Sequence, residues 1–217
     1  MANSVDIDNT SVLTLSDVGV CFDSVPVFEH VSYTLERAQM CCLSGPSGCG
    51  KSSLLKSVMG FVPFSGRIEV CGTFLNGNTA AEIRRNITYL PQDLSLPAET
   101  VRDLLHMPFL LRVNRHIEWN ESRLLEHWKM LGLDVSLLDA RTCEISGGQR
   151  QRMMLAVSGI LDKRLLLADE PTSALDPDSA RRVLDYLHYL TAESGMSVLV
   201  VSHSPLFYES LPLLRLG

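Results

Sequence analysis

The chain has 217 residues, of which 46% are hydrophobic, and a formal net charge of −6 at pH 7. This length suffices for one α/β domain that buries a large core without disulfides or structural metals. The acidic balance argues against a protein that binds nucleic acid through bulk positive charge, and no apolar run approaches the roughly 18 residues of a membrane span.

The N-terminal segment and the cysteines point to the same compartment. The first ten residues, MANSVDIDNT, are polar and acidic and do not resemble a signal peptide. The six cysteines show neither a C-x-x-C pair nor a metal-binding spacing, which favours reduced thiols in a cytosolic protein. Cys41 and Cys42 stand in an apolar run, and we expect both to be buried.

The apolar pattern along the chain predicts strands of two kinds. Short alternating runs flank a polar turn at 23–26 and indicate an antiparallel strand pair within 11–36, and residues 67–75 show a similar pattern. Unbroken apolar runs at 40–44, 165–169 and 197–202 are typical of parallel strands buried on both faces. Residues 86–92 give a weaker indication of a fourth parallel strand.

Between Gln92 and Ser146 the pattern becomes helical. We expect one apolar cluster from four leucines and one amphipathic helix face from a second group, namely Leu104, Leu105, Leu110 and Leu111, then Leu124, Leu125, Trp128 and Leu131. The sequence therefore predicts a single domain over 1–217. Its β-rich core would span about 11–92 and 160–217, and an inserted helical subdomain would span about 93–159.

A phosphate-binding loop stands between a predicted strand and a predicted helix. The sequence GPSGCGKS at 45–52 fits G-x-x-x-x-G-K-[ST] at every fixed position. Backbone N–H groups of such a loop wrap phosphate oxygens, Lys51 reaches the β- and γ-phosphates, and the Ser52 hydroxyl binds Mg²⁺. The residues expected to hold the nucleotide are Gly45, Ser47, Gly48, Cys49, Gly50, Lys51, Ser52 and Ser53.

Two acidic residues and a histidine follow other predicted strands. Asp169 ends the run LLLAD, where its carboxylate could hold the Mg²⁺ shell, and Glu170 could orient or deprotonate the attacking water. Because parallel strands deliver their C-terminal ends to one edge, His203 should lie on the same rim. The simpler alternatives are a helix-start carboxylate for Glu170 and an ordinary loop residue for His203.

The stretch EISGGQRQR at 144–152 looks like half of a binding site. A serine and two glycines open a predicted helix, and exposed N–H groups at such a start attract an anion. No lysine occupies the usual cradle position here. A glycine-rich helix cap would explain the serine and the glycines but not the other motifs.

Taken together, the motifs resemble those of the ATP-binding cassette (ABC) ATPase subunits. The ordered set comprises GPSGCGKSS, Gln92, ISGGQ, LLLADE, SALD at 173–176, and His203, and it covers nearly the whole chain. The resemblance implies a P-loop NTPase fold with a RecA-like core of mostly parallel sheet and helices, an N-terminal antiparallel β subdomain and an inserted helical subdomain. It implies ATP and Mg²⁺ as cofactors.

The resemblance also implies roles for further residues. Two copies would pair head to tail, so that Ser146, Gly147, Gly148 and Gln149 of one chain cap the γ-phosphate on the partner's loop. Gln92 would contact the Mg²⁺ shell or the attacking water and act with Glu170 and His203 in catalysis. Asp176 would help to link the two sites. Phe22 would stack on adenine, and its alternative is a strand residue that packs inward.

The implied function is that of a transporter's ATPase subunit, held by a permease partner at the inner face of the cell membrane without inserting into it. The alternative is a soluble ABC ATPase that acts on DNA or ribosomes. It is disfavoured by the acidic charge and by the mere 53 residues between Gln92 and Ser146, too few for a long coiled-coil insertion. A nucleotide sensor without turnover is disfavoured by Lys51, Glu170 and His203. The segment 100–116 is similar to the ATPases of small bacterial iron exporters, while lipoprotein-release and solute-import ATPases remain close.

Overall fold

The computed structural model describes residues 11–94 and 97–216, so the acidic N-terminal segment lies outside the described residues. Two sheets and seven α-helices form this part of the chain. The strands are β1 (Ser11–Phe22), β2 (Val25–Glu36), β3 (Met40–Ser44), β4 (Ser65–Val70), β5 (Thr73–Phe74), β6 (Ile87–Leu90), β7 (Leu165–Asp169), β8 (Ser197–Val201) and β9 (Leu213–Arg215). The helices are α1 (Lys51–Val58), α2 (Ala80–Ile83), α3 (Val101–Leu110), α4 (Glu121–Met130), α5 (Gly147–Ile160), α6 (Pro177–Ser194) and α7 (Pro205–Tyr208).

An antiparallel sheet with the order β2-β1-β4-β5 covers one side of the fold. Its long hairpin turns at Asp23 and Ser24, whose φ angles of 49° and 65° belong to the two-residue turn that matches strand twist. The predicted strand pair around this turn is confirmed. The next pair, β4 and β5, turns at Cys71 and Gly72, where φ is again positive at both residues.

A parallel sheet with the order β6-β7-β8-β3-β9 forms the centre. The three strands predicted from unbroken apolar runs are confirmed, the last ending one residue earlier than expected, and the weaker fourth is β6 at the sheet edge. Each strand alternates between two core layers: Cys41 packs toward α1 and the antiparallel sheet, and Cys42 packs toward α5 and α6. Strand β9 was not predicted, because three residues give no periodic signal.

In the helical region, the predicted buried face is confirmed for α4, whereas the predicted apolar cluster of α3 is not. Leu124, Trp128 and Leu131 are fully buried. The expected four-leucine cluster is wrong, because Leu104 and Leu105 are buried whereas Leu110 and Leu111 are exposed. Helix α3 ends at Leu110, and the extended backbone of Leu111 (ψ 136°) carries the chain away before a further helical turn can face the core.

Helix α5 connects the helical region to the parallel sheet. Its Gly159 faces His127 of α4, and its Ser158 Oγ lies 3.3 Å from the Thr88 hydroxyl of β6. Since one helix serves both parts, the subdomain boundary at 159 stays a prediction. Among the described residues, no helix has the length and apolar character needed to cross a bilayer.

A buried polar contact holds α4 against α5 and α6. The Nδ1 atom of His127 lies 2.6 Å from the Tyr186 hydroxyl, and burial lowers the pKa of the imidazole. Arg123 pairs with Asp162 at 2.6 Å beside it. Gly159 of α5 faces this contact so closely that a Cβ atom there would meet the Tyr186 hydroxyl and approach His127 Nδ1 to 2.7 Å.

We expect Gly159→Ala to destabilise the fold, because the added methyl group must displace His127 and Tyr186. Overpacking of this kind costs about 1–3 kcal/mol, which exceeds the roughly 1 kcal/mol that alanine gains over glycine within a helix. The measurement is the free energy of unfolding from urea titration. Gly77→Ala is the matched control, since nothing lies within 4 Å of its added Cβ. Equal stability of the two variants would contradict this packing.

Candidate active site

The predicted phosphate loop connects β3 to α1, with backbone geometry that requires glycine. Gly48 and Gly50 have φ angles of 80° and 95°, in the left-handed region. A Cβ atom on Gly50 would also approach the Phe28 ring to 2.8 Å. The loop therefore lies against β2, and its N–H groups stand at the start of α1, where an anion is favoured.

Lys51 is a buried cation that is held by backbone carbonyl groups. Its side chain is 7% exposed, and Nζ donates hydrogen bonds to the carbonyl oxygens of Gly45 (3.0 Å) and Pro46 (2.8 Å). Across residues 11–94 and 97–216, no carboxylate lies within ion-pair distance of this ammonium group. Because a buried charge is costly unless it is paired, the loop is prepared for an anion such as phosphate.

Glu170 stands at the centre of the three predicted catalytic residues. Its Oε2 atom accepts a hydrogen bond from Gln92 Nε2 at 3.4 Å, and its Oε1 atom lies 3.6 Å from His203 Nε2. Its backbone is left-handed (φ 50°), and its N–H group donates to the Val201 carbonyl at 3.0 Å. This arrangement can hold a carboxylate beside an attacking water molecule.

The structure brings the phosphate loop and these three side chains into one cavity of about 300 Å³. Its lining is Ser47, Gly48, Gly50, Lys51, Ser52, Ser53, Gln92, Glu170, Val201 and His203. Two further loop residues adjoin it: the Gly45 carbonyl accepts from Lys51, and Cys49 Sγ lies 4.0 Å from Lys51 Nζ. A site that combines a phosphate cradle with a carboxylate and a histidine suits phosphoryl transfer to water.

Asp169 ends β7 as a buried carboxylate, 4% exposed. Tyr89 lies on the neighbouring strand, where it pairs with Leu167, on the same face as Asp169. Burial raises the pKa of the Tyr89 hydroxyl to about 12, and the charge of Asp169 and a hydrogen bond to it add to this shift. Tyr89 was not among the predicted site residues. The alternation of side chains along β6 could have placed it on this face.

The residues of the SGGQ stretch do not line the cavity. Ser146 caps α5: its Oγ accepts from Gln149 N–H (3.1 Å), and its own N–H donates to Gln149 Oε1 (2.7 Å). Ser146 and Gly147 are exposed, whereas Gly148 is buried. A Cβ atom on Gly148 would lie 2.9 Å from the Ala174 carbonyl oxygen, so this glycine serves close packing within the chain.

Asp176 and Phe22 also lie outside the cavity. Asp176 caps α6, and its pKa is lowered because its carboxylate accepts hydrogen bonds from Ser179. Phe22 ends β1 and pairs with Val25 of β2, the strand whose Phe28 reaches the phosphate loop. Its side chain is 47% exposed, so the alternative of inward packing is wrong.

Comparison with known proteins places these features among ATP-binding subunits. A family described as "ABC transporter" matches residues 28–173. The Probable iron export ATP-binding protein FetA of Escherichia coli (strain K12) is 31% identical over 90% of this chain and 86% of its own length. The Phosphonates import ATP-binding protein PhnC of Hydrogenovibrio crunogenus is 33% identical over 83% of this chain and 70% of its own length.

Solved structures agree on the fold. A dimeric ATP-binding cassette in a post-hydrolysis state, bound to ADP and Pi, superposes with a TM-score of 0.83 at 24% identity, covering 94% of each chain. An ATP-binding subunit of an ABC transporter superposes with a TM-score of 0.79 at 25% identity, covering 95% of this chain and 86% of the other. The predicted α/β fold with a P-loop NTPase core is confirmed.

We expect Glu170→Gln to retain ATP binding and to lose at least about a hundredfold in turnover, because the amide cannot accept a proton from water. Glutamine has nearly the shape of glutamate, and its amide oxygen can still accept the hydrogen bond from Gln92 Nε2. Phosphate release and fluorescent nucleotide titration measure the two effects. Glu209→Gln, an exposed carboxylate beyond α7, is the control. Wild-type turnover in Glu170→Gln would remove Glu170 from the reaction.

Proposed function

This chain belongs to the ABC transporter family, and we propose that two copies of it pair head to tail around two ATP molecules and drive the motion of a membrane permease. The family predicted from the motifs is thereby confirmed. The predicted ATPase activity is confirmed with it. The observation that carries the proposal is that the buried Lys51 of the phosphate loop shares one cavity with Glu170, Gln92 and His203.

In this proposal each side chain of the cavity has one task. Lys51 holds the outer phosphates of ATP. Glu170 accepts the proton of the attacking water, and His203 and Gln92 hold its two carboxylate oxygens in place. The support for these roles is that Gln92 Nε2 and His203 Nε2 lie 3.4 and 3.6 Å from the two oxygens of this one carboxylate, in the lining of the cavity that would hold the water. Phe22 offers its exposed ring to the adenine.

The side chains that would hold Mg²⁺ are Ser52, Asp169 and Gln92. All three offer the hard oxygen atoms that Mg²⁺ prefers, and Asp169 is a buried carboxylate oriented by Tyr89. In the described part of the chain, no group of three or more His, Cys, Asp or Glu residues could hold a metal. Mg²⁺ is usually held through one or two carboxylates and completes its shell with phosphates and water, and Asp169 would supply such a carboxylate. When bound, Mg²⁺ would neutralise charge on the phosphates.

The head-to-tail dimer gives the start of α5 an anion to bind. Ser146 and the first helical residue, Gly147, are exposed at the start of a 14-residue helix, outside the chain's own cavity. A phosphate on the partner's loop would meet the N–H groups of this helix start, and the partner's Lys51 would supply the missing cation. The Ser146–Gln149 capping box keeps the turn rigid before the partner arrives.

A groove between the core and the helical region is the surface proposed for the permease. It has a volume of about 350 Å³ and is bounded by the end of α1, the edge strand β6, the end of α3 and the side of α5. Phe61 and Leu111, which line it, are 63% and 55% exposed, and exposed apolar patches of this kind favour protein partners. The chain would then work at the inner face of the membrane through this partner. Iron export and phosphonate import both occur among the names of the relatives, so the cargo depends on the permease.

The dimer proposal predicts rescue between two inactive chains. Lys51→Ala removes the phosphate contact, and Ser146→Arg places a bulky cation in the proposed interface. In the mixed dimer one site carries both changes, and the other has an intact Lys51 facing an intact Ser146. We expect mixing to restore up to about a quarter of wild-type turnover per chain, given random pairing and independent sites.

Each variant alone should be inactive, while Ser146→Arg should keep its ATP affinity within about twofold, as expected for a residue outside its own cavity. If both sites must close together, rescue fails, and a cross-link then decides. A cysteine at Ser146 is paired with one at Ser47 in a chain without native cysteines. A disulfide formed only within one chain would contradict the head-to-tail arrangement.

The groove proposal predicts that Leu111→Asp weakens permease binding at least about tenfold, as expected for an apolar residue within an interface. The ATPase rate of the isolated chain should stay within about twofold, because Leu111 lies outside the active-site cavity. Val135→Asp is the matched control, with 57% exposure and a position outside the groove. Co-purification of a multi-span membrane protein from solubilised native membranes measures the effect. Equal recovery with both variants would remove the groove from the interface.

A further inference from the structure

The first turns of α5 lie directly on the loop that follows Glu170. A Cβ atom on Gly148 would meet the Ala174 carbonyl oxygen at 2.9 Å and Leu175 Cδ2 at 2.7 Å. A Cβ atom on Gly147 would lie 3.9 Å from Ala174 Cβ. One turn further along the same helix face comes Gln151. The turn formed by residues 146–149 of the SGGQ stretch, here called the signature turn, and the loop after Glu170 therefore form one contact surface inside a single chain.

Gln151 is the polar link across this surface. Its side chain is 4% exposed, and its Nε2 atom donates to the Glu170 carbonyl oxygen at 3.3 Å and approaches Ser173 Oγ at 3.5 Å. The Glu170 carbonyl also accepts from the N–H (3.2 Å) and the hydroxyl (3.1 Å) of Ser173. Three donors thus converge on the carbonyl of the residue proposed as the catalytic base.

The backbone of Glu170 needs such support. Its φ angle of 50° is unfavourable for a residue with a side chain, and such conformations persist only where the surroundings enforce them. The carboxylate leaves the chain from this turn, so its direction toward Gln92 and His203 depends on the turn keeping its shape. A change in the Glu170 carbonyl would rotate the peptide that aims the side chain.

Fold stability does not explain a glutamine at position 151. Its Oε1 atom is buried and meets no hydrogen-bond donor in the described part of the chain. A buried acceptor without a partner costs stability, and an apolar side chain of similar size avoids that cost. The amide is therefore best explained by the hydrogen bond that it donates to Glu170.

We propose that Gln151 is a positioning residue that ties the turn of Glu170 to the start of α5, so that a chain's signature turn and its own catalytic carboxylate move together. In the proposed head-to-tail dimer these two elements serve different ATP molecules. Closure of Ser146 over the partner's phosphate would thus be transmitted through Gln151 to the carboxylate at the chain's own ATP. The transmission rests on the proposed dimer, whereas the tie itself lies within one chain.

Two mixed dimers, each with a single unchanged Glu170, test whether Gln151 positions this residue. In the first, a Gln151→Leu chain is paired with a Glu170→Gln chain, so the substitution is in the chain that carries the live Glu170. In the second, a chain with both Gln151→Leu and Glu170→Gln is paired with a wild-type chain. The unchanged Glu170 then belongs to the wild-type chain, and Gln151→Leu lies only in the chain whose signature turn faces the ATP of that Glu170. The reference is wild type paired with Glu170→Gln.

We expect the first dimer to turn over about tenfold more slowly than the reference, as misplacement of a catalytic group does, and the second to stay within about twofold. The reversed pattern would assign Gln151 to the phosphate-capping turn and overturn the proposal. Equal losses in both dimers would indicate a merely structural role and would also overturn it. Thr191→Val, which removes a buried hydroxyl bonded to the His188 carbonyl on α6, should leave turnover unchanged.

Hydrogen exchange of the isolated chain tests the tie between Gln151 and Glu170 without a measurement of turnover. In Gln151→Leu we expect the amides of 170–175 to exchange about five- to tenfold faster, as the loss of one hydrogen bond predicts, and in Thr191→Val we expect no change. Unchanged exchange in Gln151→Leu would overturn the tie. If the reference dimer fails to assemble with ATP while exchange accelerates as expected, the head-to-tail dimer is wrong and the tie stands.

Discussion

The parallel pairing of β6, β7, β8 and β3 is the constraint on which the rest of this structure depends. The register sets Leu90 beside Ala168 and both Asp169 and Leu43 beside Val201, so four strands end at one edge. The groups that line the cavity follow these strand ends. The phosphate loop comes after β3, Gln92 after β6, Glu170 after β7 and His203 after β8. A slip of one residue in any pair would turn its core side chains to the opposite layer, and so the buried faces fix the positions of the polar groups.

The site concentrates arrangements that cost stability. A lysine is buried among carbonyl groups, a glutamate adopts a left-handed backbone, and a glutamine oxygen stays without a donor in the described region. The two apolar layers that enclose the sheet supply the stability that tolerates them. Strain of this kind is typical of functional sites, where it fixes groups before the ligand arrives. The energy of the fold is thus used to place a cation and a carboxylate in the lining of one cavity.

The sequence predicts this site better than it predicts the surroundings. The phosphate loop, Asp169 and Glu170 carry local signals, because a motif and an adjacent apolar strand suffice to place them. His203 could be placed at the rim because parallel strands share an edge, whereas Gln92 was placed by the resemblance to the family. Gln151 could not be identified, since its importance comes from a contact with residue 170 that only the packing of α5 creates. Leu110 and Leu111 were misassigned for a related reason: helical spacing says nothing about where the helix ends.

The tight approach of Gly148 to Ala174 complicates the interpretation of substitutions in the signature turn. Any side chain at 148 must push the loop that follows Glu170, so a loss of activity there reports a distorted interior as readily as a lost phosphate contact. Ser146 is exposed and caps the helix through the N–H group of Gln149, so changes at this position separate recognition from packing. Gly148 and Ser146, two residues apart in the same motif, thus differ as probes: the first tests the architecture of a subunit, and the second tests what that subunit touches.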